Sequence, residues 1–168
     1  GHSTGGNDTA RLYGSAQQEN LNARPGYAGL SGAGHASAAL GFAHLEAYGG
    51  VGFDSAYLSG STGIDALVAT PTQATFSGTN FDMIANNFES VVVTAGYRDT
   101  AKLTGSARAD ALTITSTYTR LTGSGFDIRV TGIKSADVDG GLGNDTAYLR
   151  DSAGNDTLTA QGSSARLA

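Results

Sequence analysis

Acidic residues recur along this chain at two fixed positions of a repeated phrase, and they are the side chains with the clearest chemical potential. Carboxylate oxygens are the ligands that calcium and other hard cations take in proteins. If successive turns of the chain bring these carboxylates together, they could hold such an ion between them. The candidate metal ligands are Asp54, Asp65, Asp99, Asp110, Asp145 and Asp156.

The same positions also have a use that involves no ion. Asp and Asn side chains accept hydrogen bonds from backbone N–H groups two residues further on, which closes a tight turn. In our alignment Asn20 takes the place that Asp65 and Asp110 hold in later copies, and a neutral amide can close such a turn. The sequence therefore favours turn formation and keeps a cation site as the alternative.

Two lines of the sequence resemble the calcium-binding nonapeptide of RTX repeats, GGxGxDxUx, namely "GGVGFDSAY" (49 to 57) and "GGLGNDTAY" (140 to 148). The resemblance implies calcium as a cofactor, bound between successive turns by carboxylate and carbonyl oxygens. RTX lines repeat every nine residues, whereas these two are 91 positions apart. Ala56 and Ala147 also stand where RTX repeats carry a larger apolar residue.

Two tyrosines are candidates for ligand binding. Tyr57 and Tyr148 occupy equivalent positions of the repeat, next to small and apolar residues that we expect to point inward. Exposed aromatic rings on a flat β face can bind sugars or a protein partner. They can equally serve only to cover the strand face, and the sequence favours this second use.

We expect no enzymatic activity from this chain. The acidic residues are copied from unit to unit, whereas an active site needs one unique constellation, and no common hydrolase, phosphate-loop or zinc-site motif occurs. Among the residues that are not repeated, His44 and Glu46 are two apart and would share one face of a strand. A solvated polar face is the simpler interpretation of that pair.

The composition limits the class of protein and its partners. The formal net charge is −5, and no cluster of Lys and Arg stands out, which argues against a nucleic-acid partner. Gly accounts for 25 of the 168 residues and Cys is absent, so a disulfide framework is excluded. We find no apolar run long enough to cross a bilayer and expect no membrane insertion.

The chain is a repeat with a period of 45 to 46 residues. The phrase "DTARLYGS" at residue 8 returns as "DSAYLSGS" at 54, "DTAKLTGS" at 99 and "DTAYLRDS" at 145. A second phrase follows each of these 11 or 12 residues later. We therefore divide a single repeat domain, 1–168, into units 8–53, 54–98 and 99–144 with a partial unit 145–168, and expect it to be part of a longer protein.

Alternating apolar positions, such as Ala56 with Leu58, predict short strands bounded by turns. The fold predicted is all-β, a right-handed parallel β-helix with two coils of roughly 22 residues in each unit. A β-trefoil or a β-propeller-like closed repeat is the alternative. On the β-helix model one inward column would hold Leu12, Leu58, Leu103 and Leu149. Residues 36 to 48 fit either a helix or strands.

In texture the units resemble long Gly-, Asp- and Thr-rich repeats of large secreted or cell-surface bacterial proteins, planctomycetes among them; an example is "GFDSAYLSGSTGIDALVATPTQATFSG" (52 to 78). The resemblance implies an extracellular, structural or adhesive role. We also expect self-association through the ends of the solenoid. The alternatives are a carbohydrate-binding or carbohydrate-active β-helix, with polysaccharide as the partner, and a calcium-dependent assembly module.

Overall fold

The computed structural model describes residues 1–3, 7–133, 135–150, 158–161 and 164–167. Strands dominate these residues, and no helix occurs among them. The strands are β1 (Thr9–Tyr13), β2 (Glu19–Arg24), β3 (Tyr27–Gly32), β4 (His35–Leu40), β5 (His44–Tyr48), β6 (Ser55–Ser59), β7 (Ala66–Thr70), β8 (Gln73–Gly78), β9 (Phe81–Asn86), β10 (Ser90–Thr94), β11 (Thr100–Thr104), β12 (Ala111–Ile114), β13 (Tyr118–Gly123), β14 (Phe126–Thr131), β15 (Ser135–Asp139), β16 (Thr146–Leu149), β17 (Leu158–Gln161) and β18 (Ser164–Leu167).

Two sheets form the body of the molecule. Sheet A has the strand order β16-β12-β13-β14-β10-β6-β2-β3-β4, and sheet B has the order β1-β5-β9-β8-β7-β11-β15. Strands from consecutive coils, such as β2, β6, β10 and β14, pair in parallel. The all-β prediction and the parallel β-helix are therefore confirmed, and the closed alternatives are not observed. The ambiguous residues 36 to 48 form strands β4 and β5.

The predicted coil length is wrong. Neighbouring positions of parallel strands are 34 to 38 residues apart, as the hydrogen bonds between coils record. Because the chain crosses between the sheets three times in a unit and a coil takes two crossings, each unit adds one and a half coils rather than two coils of roughly 22 residues. The additional length lies in a three-stranded antiparallel meander within every unit, β2 to β4, β7 to β9 and β12 to β14.

Turn residues explain where the meanders fold back. Pro25 and Gly26 join β2 to β3, and the positive φ of 73° at Gly26 is the conformation that follows proline in a type II turn. The second turn of each meander places Gly34, Asn80 or Gly125 in the left-handed region of backbone conformation. Gly adopts this conformation because it has no Cβ, and Asn tolerates it better than most other residues. These turns allow strands of four to six residues to pair with their sequence neighbours.

Consecutive units exchange sheets. The chain crosses between the sheets three times in each unit, so that an equivalent strand lies in sheet B in one unit and in sheet A in the next. The single predicted column of leucines is therefore wrong: Leu12 and Leu103 lie in sheet B, whereas Leu58 lies in sheet A. The repeat has the symmetry of an approximate twofold screw rather than a simple translation.

The core lies between the two sheets and is formed by the inward residues of nearly every strand. Large and small inward side chains alternate along each of these strands and are in register between them, so that Phe76 stands between Met83 and Leu67 while Ala74 stands beside Ala69. Alternation of this kind fills an interior without cavities. Phe76 also packs edge-on against Phe81, with 6.4 Å between ring centroids.

Candidate functional site

The predicted metal ligands among the described residues lie at the corners where the chain enters a strand of one of the two sheets. We call Glu19, Asp54, Asp65, Asp99 and Asp110 the corner carboxylates, because each stands at a strand start and is almost completely buried. Burying a charge is costly unless hydrogen bonds stabilise it. The partners of these five groups therefore indicate what the corners do.

A serine four residues earlier supplies two of the hydrogen bonds. Ser61 donates to Asp65 through its backbone N–H at 2.6 Å and through its hydroxyl at 2.9 Å. The Ser61 hydroxyl in turn accepts the N–H of Gly63 at 2.9 Å. The pairs Ser106 with Asp110 and Ser15 with Glu19 repeat this arrangement in the neighbouring units. The corner is thus closed by a local Ser-to-carboxylate ring.

A second set of hydrogen bonds ties one coil to the next. The Asp99 carboxylate accepts the N–H of Asp65 at 2.8 Å and that of Gly96 at 2.6 Å. In the same way, Asp54 accepts the N–H of Glu19 at 2.7 Å. Asp54 and Asp99 therefore cap the strand starts of the preceding coil, and they connect one coil to the next.

Two details of the sequence interpretation are wrong here. The residue equivalent to Asp65 and Asp110 in the first unit is Glu19 rather than Asn20, since Glu19 accepts from Ser15 as Asp65 does from Ser61. Asn20 instead points outward on β2. The hydrogen bonds also do not come from N–H groups two residues on; they come from a serine four residues earlier and from a residue 34 or 35 positions earlier.

Asp54 is the exception within the set. Its Oδ2 atom is buried and has no hydrogen-bond partner among the described residues. Burial raises the pKa of the Asp54 carboxyl, and the carboxylates of Glu19 and Glu89 act in the same direction, against the N–H donated by Glu19. The hydroxyl and N–H of Ser15, in contrast, lower the pKa of Glu19. Two acids of one corner are thus shifted in opposite directions.

The calcium prediction is not decided by this geometry. In the part of the chain that the structure describes, no three acidic or histidine side chains converge in a way that could hold a metal ion. Asp145 accepts the N–H of Asp110 at 2.9 Å and is exposed. Asp156 lies outside the described residues. Calcium binding stays a prediction, and most of the buried carboxylate oxygens it would use already accept hydrogen bonds from the chain.

The two predicted binding tyrosines lie on one face of sheet A. Tyr57 and Tyr148 are 45% and 59% exposed and belong to the same outward row. Register places the row in the order Tyr57, Val92, Arg129, Arg120, Thr113 and Tyr148, on strands β6, β10, β14, β13, β12 and β16. Five strand spacings of about 4.8 Å separate the tyrosines by about 24 Å.

Two arginines that sequence reasoning did not select stand between these tyrosines. Arg120 and Arg129 are directly opposite on β13 and β14. Arg120 forms a two-pronged ion pair with Asp127, at 2.8 Å and 2.5 Å, while the Arg129 guanidinium lies 4.6 Å from the centroid of the Tyr118 ring. The alternation of apolar residues along β13 and β14 predicts that both arginines point outward. Their closeness depends on how the two strands pair, which the sequence pattern does not give.

The outward face of sheet B has a different character. Arg11 pairs with Glu46 at 2.6 Å, and the rings of Tyr13 and Tyr48 stack with 5.0 Å between centroids. His44 contacts Asp82 and Asn7 instead of Glu46. The shared strand face predicted for His44 and Glu46 is present, but the two side chains engage separate partners.

Comparisons of this chain with family models, curated proteins and solved structures found no match. No helix in the described residues has the length and apolar character needed to cross a membrane. The function is therefore inferred from the geometry of the corners and of the two outward faces.

Proposed function

We propose that this chain is a structural and adhesive repeat module of a larger secreted or cell-surface bacterial protein, with a non-catalytic role. The observation that carries the proposal is the use of the corner carboxylates. The carboxylates of Asp65 and Asp99 accept hydrogen bonds from a serine and from backbone N–H groups of the chain itself. An enzyme would instead present such buried acids to its substrate. The acidic repeat thus supports the scaffold.

The scaffold suits a spacer that presents a surface. Each unit adds one and a half coils and rebuilds the same corners, so length can grow by repetition without a new fold. The outward faces are long and flat, and their side chains are repeated polar and aromatic groups. An exported location is part of the proposal and rests on the likeness of the units to Gly-, Asp- and Thr-rich repeats of bacterial surface proteins.

Self-association through the ends belongs to the same proposal. The outermost described strands of sheet B, β1 and β15, run in the same direction and carry Arg11 and Asp137 in one outward row. Copies stacked end to end would bring these opposite charges together and pair the free strand edges. We expect sedimentation velocity to show association that grows with concentration and weakens in Arg11→Glu. A monomer at every concentration would contradict it.

The adhesive role is tested with a panel of immobilised neutral and acidic polysaccharides over which the purified chain is passed. We expect retention on at least one polysaccharide, and no shortening of any polysaccharide after prolonged incubation. Absence of retention on the whole panel would contradict adhesion to glycans. Shortening of a polysaccharide chain would contradict the non-catalytic role.

A further inference from the structure

The two outward faces of the solenoid differ in charge. Among the described residues, the charged side chains outward on sheet A or directly after its last strand are Arg24, Arg120, Arg129, Arg150 and Asp127. Those outward on sheet B are Arg11, Lys102, Glu46, Asp82, Asp137 and Asp139, with His44 beside them. Sheet A is therefore a basic face on a protein whose formal net charge is −5.

The centre of this basic face is locally unfavourable for folding. Arg120 and Arg129 are direct cross-strand partners, and like charges in that position repel. Asp127 neutralises Arg120 only. No carboxylate of the described residues lies within ion-pairing distance of Arg129, whose guanidinium is held over the Tyr118 ring. An arrangement that costs stability without a structural return is typical of a binding site.

Aromatic rings extend the basic face in both directions along the row. Tyr57 is two strands from Arg129, and Tyr148 is two strands from Arg120. Both rings are about half exposed. Arg24 lies 4.7 Å from the centroid of the Tyr27 ring on the same face, so that a second arginine and aromatic pair recurs near the other end of sheet A.

We propose that the face of sheet A binds an acidic polysaccharide that lies across the strands. Arg129 and Arg120 pair with its carboxylate or sulfate groups, because the planar guanidinium forms two-pronged charge-assisted hydrogen bonds with such anions. Tyr57 and Tyr148 pack against its sugar rings. This inference rests on the proposed adhesive function and names the ligand class for it.

Arginines and aromatic rings also bind nucleic acids, but the observations on this face favour a polysaccharide. Phosphate-backbone binding relies on a dense cluster of basic residues and on long-range attraction. Here only two adjacent arginines, Arg120 and Arg129, stand at the centre of a nine-stranded face, and the chain as a whole is acidic. A sparse row of cations and rings matches a polymer whose charges are spaced by sugar units.

The test measures binding of the full chain to polygalacturonate, to heparin and to neutral dextran, at low and at physiological salt. We expect binding to at least one of the two acidic polymers, none to dextran, and weaker binding as salt rises. Arg129→Gln should lower the affinity about tenfold, which is the loss of one charge-assisted pair. Lys102→Gln on sheet B is the matched control and should leave the affinity unchanged.

Folding of each variant is followed by its melting temperature. Arg129→Gln removes both the repulsion by Arg120 and the contact with the Tyr118 ring, which act in opposite directions, so its melting temperature should stay close to that of the wild type and lost binding is not lost folding. The proposal is overturned if Arg129→Gln binds like the wild type, or if Lys102→Gln weakens binding equally. Equal binding of single-stranded DNA also overturns it. Binding of dextran alone overturns the ligand class while leaving the adhesive function standing; binding of no polymer contradicts both.

Discussion

Replacing Asp65, a corner carboxylate whose two oxygens both accept hydrogen bonds, should destabilise the fold far more than replacing an acid on a face. Asp65 is buried and accepts both the N–H and the hydroxyl of Ser61. In Asp65→Ala the N–H and the hydroxyl of Ser61 both lose their acceptor. Hydrogen bonds to a charged group contribute about 1.5 to 3 kcal/mol each to the free energy of unfolding. The variant also removes a buried charge, and this gain offsets part of the stability lost with the two hydrogen bonds. We expect a loss of about 2 to 4 kcal/mol.

Two further variants separate the hydrogen bonds from the side-chain volume. Asp65→Asn retains one oxygen acceptor for the Ser61 N–H and should lose about half as much stability as Asp65→Ala. Asp137→Ala removes an exposed acid from β15 and should change the free energy of unfolding by less than about 0.5 kcal/mol. All three are compared with the wild type by urea unfolding, followed by far-UV circular dichroism.

The expected loss for Asp65→Ala corresponds to a fall in melting temperature of about 5 to 15 °C for a domain of this size. Equal stability of Asp65→Ala and Asp137→Ala would refute the structural role of the corner carboxylates. A loss in Asp65→Asn as large as that in Asp65→Ala would show that charge rather than hydrogen bonding determines the effect.

Three other expectations follow from the corners. Gly78→Ala should cost about 1 to 3 kcal/mol in urea unfolding, because a Cβ there would lie 2.0 Å from Asp65 Oδ1, while Gly63→Ala, with its nearest atom at 3.2 Å, should cost much less; equal losses would contradict this. The raised pKa of Asp54 means that its favourable contribution is present at low pH and is lost as the pH rises above the usual Asp range through the folded-state pKa. Asp54→Asn should therefore melt above the wild type at pH 7, with a difference that shrinks in acid, and a difference independent of pH would contradict the cause given. Because most of the buried corner oxygens already have donors, calcium should leave the melting temperature equal to that in EDTA, and a rise that EDTA reverses would restore the metal-site alternative.

The repeat and the alternating strands could be predicted because they are local. Each strand of four to six residues shows its inward positions directly, as Ala56 and Leu58 do in β6. The coil length could not be obtained from strand-length averages, since the meanders add two antiparallel strands to every unit. Their signals were nonetheless present in the sequence, as Pro25-Gly26 and as a Gly or Asn directly before each third strand.

The corner residues show a different limit of the sequence interpretation. When the repeats are aligned on the first leucine after the acidic residue, Asn20 stands opposite Asp65. When they are aligned on the serine four positions before the carboxylate, Ser15 and Ser61, it is Glu19 that stands opposite Asp65. A carboxylate with a Ser four positions before it was the more informative signal. The exchange of sheets between units depends on how many times the chain crosses, and no residue pattern records that number.

The basic face of sheet A could not be predicted from the sequence, because it depends on which strands pair. Arg120 and Arg129 are nine positions apart in the chain, and nothing in their spacing indicates that they are direct partners. Tyr57 and Tyr148 were selected because they are equivalent in the repeat. They share a row because their units are two apart, which returns the chain to the same sheet.

Binding along the face of sheet A is tested most directly by titrating the isotopically labelled chain with the acidic polysaccharide that it retains and recording amide NMR shifts. We expect the changes to concentrate on β6, β10, β14, β13, β12 and β16, around Tyr57, Arg129, Arg120 and Tyr148. Shifts confined to sheet B or to the corner carboxylates, or an unchanged spectrum at saturating polymer, would contradict the proposed function of this face.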